Sequence, residues 1–239
     1  MPQTEKLTRK DLKEMVKHDT FREKTLETVG YVSEHRSQVA KYAIAALVVL
    51  LLGGAIWFYR SYQHTVRQEA LGVALQEYGA MVGAEKPTFA IKWYKTAEEK
   101  NAAIKRVFSD LAAKYAGTEE GLIANYYLGI QASDQGNAAD AEKYLKLASE
   151  GDSAYASLAK LSLSQVYKSQ GKIKEAEQLI RAVIAKPTPF VSKEAATIEL
   201  ARLLATSNPA EARKLLEPLR SERSNISRAA LTLLSELQK

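Results

Sequence analysis

Between Tyr42 and Tyr59 the chain runs through 18 consecutive residues without one charged side chain. An uncharged run of that length has few environments that satisfy it, and a lipid bilayer is the first of them. Ile44, Leu47, Val48, Val49, Leu50, Leu51, Leu52, Ile56 and Phe58 lie within it. Each favours insertion by about 0.3 to 0.6 kcal/mol, or roughly 3 to 5 kcal/mol together. As a helix the run is about 27 Å long, against a hydrocarbon core of about 30 Å, and Lys41 can snorkel to lengthen it. Tyr42, Trp57 and Tyr59 stand at the ends, where amphipathic rings prefer the headgroup level. A buried core helix would carry some polar face, and this run has none. A cleaved signal peptide is the other competitor, with Gly53-Gly54-Ala55 resembling a cleavage site. It should have a short basic head, whereas 41 residues of mixed charge come first. The expectation is one transmembrane helix over residues 42–59.

The rest of the chain has room for one further domain of ordinary size. Of its 239 residues, 34 are Lys or Arg and 28 are Asp or Glu, a net charge of +6 that is spread thinly on both sides of the run. The nearest thing to a basic patch is Arg213, Lys214, Arg220, Arg223 and Arg228, interrupted by Glu211, Glu217 and Glu222. Such mixing reads as a solvated helix face, so no nucleic-acid partner is expected. Zero cysteines exclude disulfides, thiolate chemistry and an acylated lipoprotein cysteine. Arg22, Lys24, Arg36 and Lys41 precede the run closely, and Arg60 and Arg67 follow it. Four cations against two place the N-terminus in the cytoplasm and the C-terminal part outside it.

Residues 1–41 read as a cytoplasmic amphipathic segment of two short helices. Thr8 with Asp11 would cap the first, carrying Leu12 and Val16, and Thr20 with Glu23 the second, carrying Phe21, Thr25, Val29 and Val32. Residues 60–121 read as a continuing helix from Arg60 to Val82, a break from Gly83 to Pro87 and a helix from Thr96 to Tyr115. Ile104, Phe108 and Leu111 of that last helix would pair with the long helix as a half-unit.

From there the sequence repeats. Ala141, Leu145 and Ala148 recur as Ala176, Ile180 and Val183, then as Ala212, Leu216 and Leu219, and a turn precedes each set: Gly136-Asn137, Gly171-Lys172 and Ser207-Asn208. In the first helix of each pair, Leu128-Gly129 and Ala132 align with Leu163-Ser164 and Tyr167, then with Glu199-Leu200 and Leu203. A helix-turn-helix unit of this period cannot bury its apolar face alone and stacks on its neighbours. Pro187 and Pro189 stop the second pair. Residues 122–223 therefore read as three repeats and residues 224–239 as a capping helix, with Ala229, Ala230, Leu233 and Leu237 facing the stack.

These residues resemble the tetratricopeptide repeat, and the fold class is all-α: a single transmembrane helix followed by a tetratricopeptide-like α-solenoid of helix-turn-helix repeats. The departures are Ser153, where the family has a proline after the second helix, and Glu199 at a position usually apolar. The stretch Gly54-Ala-Ile-Trp57-Phe-Tyr59-Arg-Ser-Tyr62-Gln63, followed by Ala70 and Tyr78, is similar to the YfgM-type family, ancillary subunits of the bacterial secretion translocon. That resemblance implies an inner-membrane protein with a periplasmic solenoid whose partners are translocon subunits, exported polypeptides or chaperones. The alternative is an envelope scaffold coordinating cell-wall synthesis or division.

Catalytic chemistry is not expected, nor is a cofactor or metal. His18, His35 and His64 are the only histidines, and no HExxH, phosphate loop or nucleophile elbow occurs. The adjacent acids Glu98-Glu99 and Glu119-Glu120 diverge on a helix by about 100° and read as solvated charges. What a helix-pair stack offers is a concave face lined by its first helices. Extending the repeat register, the inward positions are Ile123, Tyr126, Ile130 and Ser133, then Leu158, Leu161, Gln165 and Lys168, then Glu194, Thr197 and Ala201. The candidate protein-binding groove is Tyr126, Ile130, Leu161, Gln165, Lys168 and Thr197; any one of them can equally serve inter-helix packing. Relatives that clamp a peptide carboxylate place Lys or Arg and Asn where Tyr126, Ile130, Leu161 and Gln165 stand, so the resemblance implies no carboxylate clamp.

Overall fold

The computed structural model of the chain describes residues 36–151, 153–221 and 225–237. The two helices expected between Thr8 and Val32 lie outside the described residues. The chain divides into two compact units, residues 1–63 and 64–239. Helix α1, Arg36–Tyr78, contributes to both. In the first unit it holds an 18-residue window of mean hydropathy 2.2 with no side chain buried. By length and composition it is the one helix among the described residues able to cross a membrane. Leu50 is 72% exposed and Phe58 68%, an arrangement that water would penalise and lipid would not.

The second unit is built almost wholly from helices. In α1, Leu71, Ala74 and Glu77 recur every third residue on the buried side. Leu71 and Ala74 join Ile104, Phe108 and Leu111 of α2, Ala97–Lys114, in one cluster, as expected for the half-unit. The long helix ends at Tyr78 rather than at Val82. Met81 and Val82 form a two-residue strand, β1, paired in parallel with Trp93 and Tyr94 of β2. Strands this short carry no readable periodicity. Thr96 caps α2 by accepting the Glu99 N–H.

Three helix pairs follow. The first is α3, Glu119–Asp134, with α4, Ala138–Ala148; the second is α5, Ala154–Ser169, with α6, Ile173–Ala185. The third is α7, Lys193–Leu204, with α8, Pro209–Leu216, which passes into a 3-10 turn, Glu217–Ser221. Each helix packs on the next, the ordering of a tetratricopeptide-like solenoid. Gly136 (φ 72°) and Gly171 (φ 75°) occupy the left-handed region that ends the first helices of pairs one and two. Asn137 and Asn208 cap the second helices of pairs one and three. Helix α9, Asn225–Glu236, covers the open end with Ala230, Leu233 and Leu234 against α7, α8 and the 3-10 turn.

Burial moves one alignment. Ala124 and Leu128 recur as Ala159 and Leu163, then as Ala196 and Leu200, all of them buried. Leu163-Ser164 therefore matches Leu200-Ala201, not Glu199-Leu200, and Tyr167 matches Leu204. Glu199 drops out of the apolar position it had been aligned with and faces outward. The shift arises because the connection 186–192 has two residues more than 149–153.

Candidate functional site

The first helices of the pairs, α3, α5 and α7, present a continuous outward face. Its start is aromatic. Tyr126 lies half-buried against Tyr155 (ring centroids 5.7 Å apart), and Tyr155 meets the exposed Phe190 edge-on at 5.2 Å. Behind them Tyr127 packs on Tyr78 and Phe108. Burial raises the Tyr126 phenol above its ordinary value, and nearby Tyr78 and Tyr155 add to this, while a hydrogen bond with Ser162 on α5 opposes it. Tyr127 is pushed up further, by burial and then by Tyr155. These hydroxyls stay neutral in the physiological range, so the strip is an uncharged surface with polar tips.

Farther along, the face turns polar. Gln165 Nε2 donates to Glu199 Oε2 at 3.2 Å, and Arg202 Nη1 donates to Glu199 Oε1 at 3.0 Å. Arg202 also borders a crevice of about 530 Å³ with Arg228, Thr232 and Glu236 of α9. The face thus runs from rings at α3 to a hydrogen-bonded Gln165–Glu199–Arg202 chain at α7.

The expected groove residues separate into two sets. Ile130 and Leu161 are half-buried beside Tyr126 and pack against the core, while Gln165 and Lys168 are exposed on the same face. Thr197 is elsewhere. With the corrected register, Ile198 follows Leu161, and Thr197 follows Lys160. Its hydroxyl donates to the Lys193 carbonyl at 2.8 Å, and it lines a crevice toward α6 and α8.

Glu120 corrects the reading of its pair of acids as solvated. Glu98, Glu99 and Glu119 are exposed, but the Glu120 side chain is only 2% exposed. It accepts from Arg67 Nε at 3.0 Å and Gln68 Nε2 at 2.8 Å, with His64 Nε2 3.6 Å away. Burial pushes its carboxyl up, but its own backbone N–H near the start of α3, Gln68 and Arg67 outweigh that and hold it below the usual value. Glu77 is tied in the same way to Lys92 at 2.6 Å and to the Tyr94 hydroxyl. Both carboxylates are structural joints of the long helix. In sequence the distinguishing signal is register: Glu120 stands four residues before Ala124 and eight before Leu128 on the buried row, and Glu119 does not.

No protein-family model matches the sequence, and no curated protein does. Among solved structures, the chain is similar to TPR-like repeats assigned to a kinesin light chain of Podosopora anserina. There the identity is 18% over 59% of this chain and 78% of that one, with a TM-score of 0.48. A point variant of the same repeats gives 17% identity, the same coverage and a TM-score of 0.49. The chain's own helix pairing is what defines its fold.

Proposed function

We propose that this protein is a single-pass, membrane-anchored scaffold that binds other proteins, with its N-terminus in the cytoplasm and its solenoid outside it. Its place is beside the secretion translocon, as an ancillary subunit meeting exported polypeptides or periplasmic chaperones. The observation that carries the reading is the pairing, in one chain, of a helix with an uncharged run whose apolar window is wholly exposed and a stack of helix pairs whose first helices present Tyr126, Gln165 and Lys168 outward. The docking face runs from Tyr126, Ile130 and Leu161 to Gln165 and Lys168. Aromatic and aliphatic anchors flanked by polar groups are the usual anatomy of a protein-binding surface.

Four measurements test this. Carbonate washing should leave the chain in the membrane, and protease added to spheroplasts should cut the solenoid; extraction, or a protected solenoid, overturns the anchor or its direction. A photo-crosslinking amino acid at Tyr126 or Gln165 in intact cells should trap a polypeptide. Mild-detergent pulldown should recover translocon subunits. Recovery of the bait alone, with the protein concentrated at the division site and export normal in a deletion strain, assigns it to envelope assembly instead.

A further inference from the structure

The same crevice can be followed through two successive repeats. In the second pair it is bordered by Ser157 and Lys160 of α5 and by Ala182 and Val183 of α6, and it encloses only about 20 Å³. Lys186 and Thr188 of the seven-residue connection border it too, and a 2.7 Å contact between the Ser157 and Thr188 hydroxyls latches it shut. In the third pair the like positions are Glu194, Thr197, Pro218 and Leu219, and the crevice opens to about 500 Å³. Two differences in the chain accompany the opening. Glu194 replaces the latching serine. Helix α8 has 8 residues where α6 has 13, because Pro218 cannot donate the next helical hydrogen bond and the chain tightens into the 3-10 turn.

The lining has a defined chemistry. Ile184, Leu200, Leu215 and Leu219 make an apolar floor. Lys193 and Lys214 stand on the rim, exposed, and neither forms an ion pair with another described residue. Arg181, also on the rim, is engaged by Glu177 and Glu211. Glu194 is the acid in the lining, and its carboxylate is held by its own backbone N–H and by Ser192 at the start of α7, with a smaller contribution from the neighbouring Lys193 charge. A volume of this size is that of a ligand site, far above the voids of a packed interior.

The geometry points to a second docking site here: a crevice that takes an acidic, amphipathic segment of a partner protein. Two or three aliphatic side chains fill the floor, and flanking carboxylates meet Lys193 and Lys214. The site is apart from the Tyr126 face and rests on the protein-binding reading only in taking a polypeptide as the occupant. Either site can fail without the other.

The test uses the full-length protein in nanodiscs and a dye-labelled peptide of alternating Glu and Leu-Leu units, read by fluorescence anisotropy. The peptide should bind and weaken as salt rises. Lys193→Glu with Lys214→Glu should weaken it by about tenfold or more. Leu215→Trp, which fills the crevice at a half-exposed position without touching charge, should also weaken it, and Tyr126→Ala should not. Circular dichroism confirms that each variant is folded. No binding at 100 µM (roughly the weak end of specific recognition), equal binding of a Gln-for-Glu peptide, or loss with Tyr126→Ala alone overturns the proposal. Displacement of the peptide by laurate does so too, assigning the crevice to an acyl chain.

Discussion

A carboxylate as little exposed as Glu120 is stable at the start of α3 because Arg67, Gln68 and the local backbone N–H replace the water it has lost. Glu120→Gln keeps the shape and removes the charge, leaving Arg67 facing a neutral amide; a loss of about 1 to 3 kcal/mol is expected in urea unfolding. The pH dependence follows from the direction of the shift. The folded carboxyl titrates below its free value of 4.5, so its contribution is fully present above that pH and is lost as pH falls through the folded value. The melting-temperature gap between wild type and variant should hold from pH 7 to 5 and close below about pH 4.5. A gap that widens in acid would contradict the assignment. Two glycines carry a prediction opposite in sign to helix propensity. Alanine in a helix is worth about 1 kcal/mol over glycine, yet a Cβ at Gly129 would lie 2.6 Å from Leu145 Cγ, and one at Gly121 2.1 Å from the Tyr115 carbonyl oxygen. Gly129→Ala should cost about 1 to 3 kcal/mol. Gly121→Ala should cost more, because backbone cannot rotate away as a side chain can.

Helix α8 is the shortest α-helix among the described residues, with 8 residues and a proline at its start, so it depends on its ends more than its neighbours do. Asn208 accepts the Glu211 N–H and donates to its carboxylate at 2.9 Å. Asn208→Ala should cost about 1 kcal/mol, the usual worth of such a cap. Lys172, at the like position of α6, makes no cap bond; its ammonium instead pairs with Glu142 at 3.1 Å. The elements were legible in the sequence because turns and spacing agreed. The glycines of Gly136-Asn137 and Gly171-Lys172 hold positive φ, and Ala141, Leu145 and Ala148 with their two sets of counterparts are all buried. The register of α7 was not legible. Its offset from α5 is 37 residues rather than 36, and only burial shows that Ala196 and Leu200 continue the row of Ala159 and Leu163. That one-residue slip moved Thr197 onto the wrong side, since a step along a helix turns a side chain by about 100°. The face of Tyr126, Leu161 and Gln165 was legible because its two helices share an unbroken period of 35 residues.

At the scale of the whole solenoid, each pair contacts chiefly its neighbours, so stability is close to a sum of local terms and can fail locally. Two buried clusters express this. One joins α1, α2 and α3 around Phe108; the other runs from Ala132 to Leu234. Leu216 sits fully buried in the second, on the short α8 and beside the open crevice. Leu216→Ala should cost about 2 to 5 kcal/mol by transfer and cavity terms. In a single cooperative globule that cost would lower protection everywhere alike. Here it should fall on one end: amide exchange should quicken across α7, α8 and α9, while α2 and α3 keep their protection behind Phe108 and Glu120. Phe108→Ala should give the reverse pattern, freeing the end nearest α1 and sparing α8. If either substitution instead lowers protection evenly along residues 64–237, the stack unfolds as one unit, and the independence of the Tyr126 face from the crevice at α8 loses its physical basis.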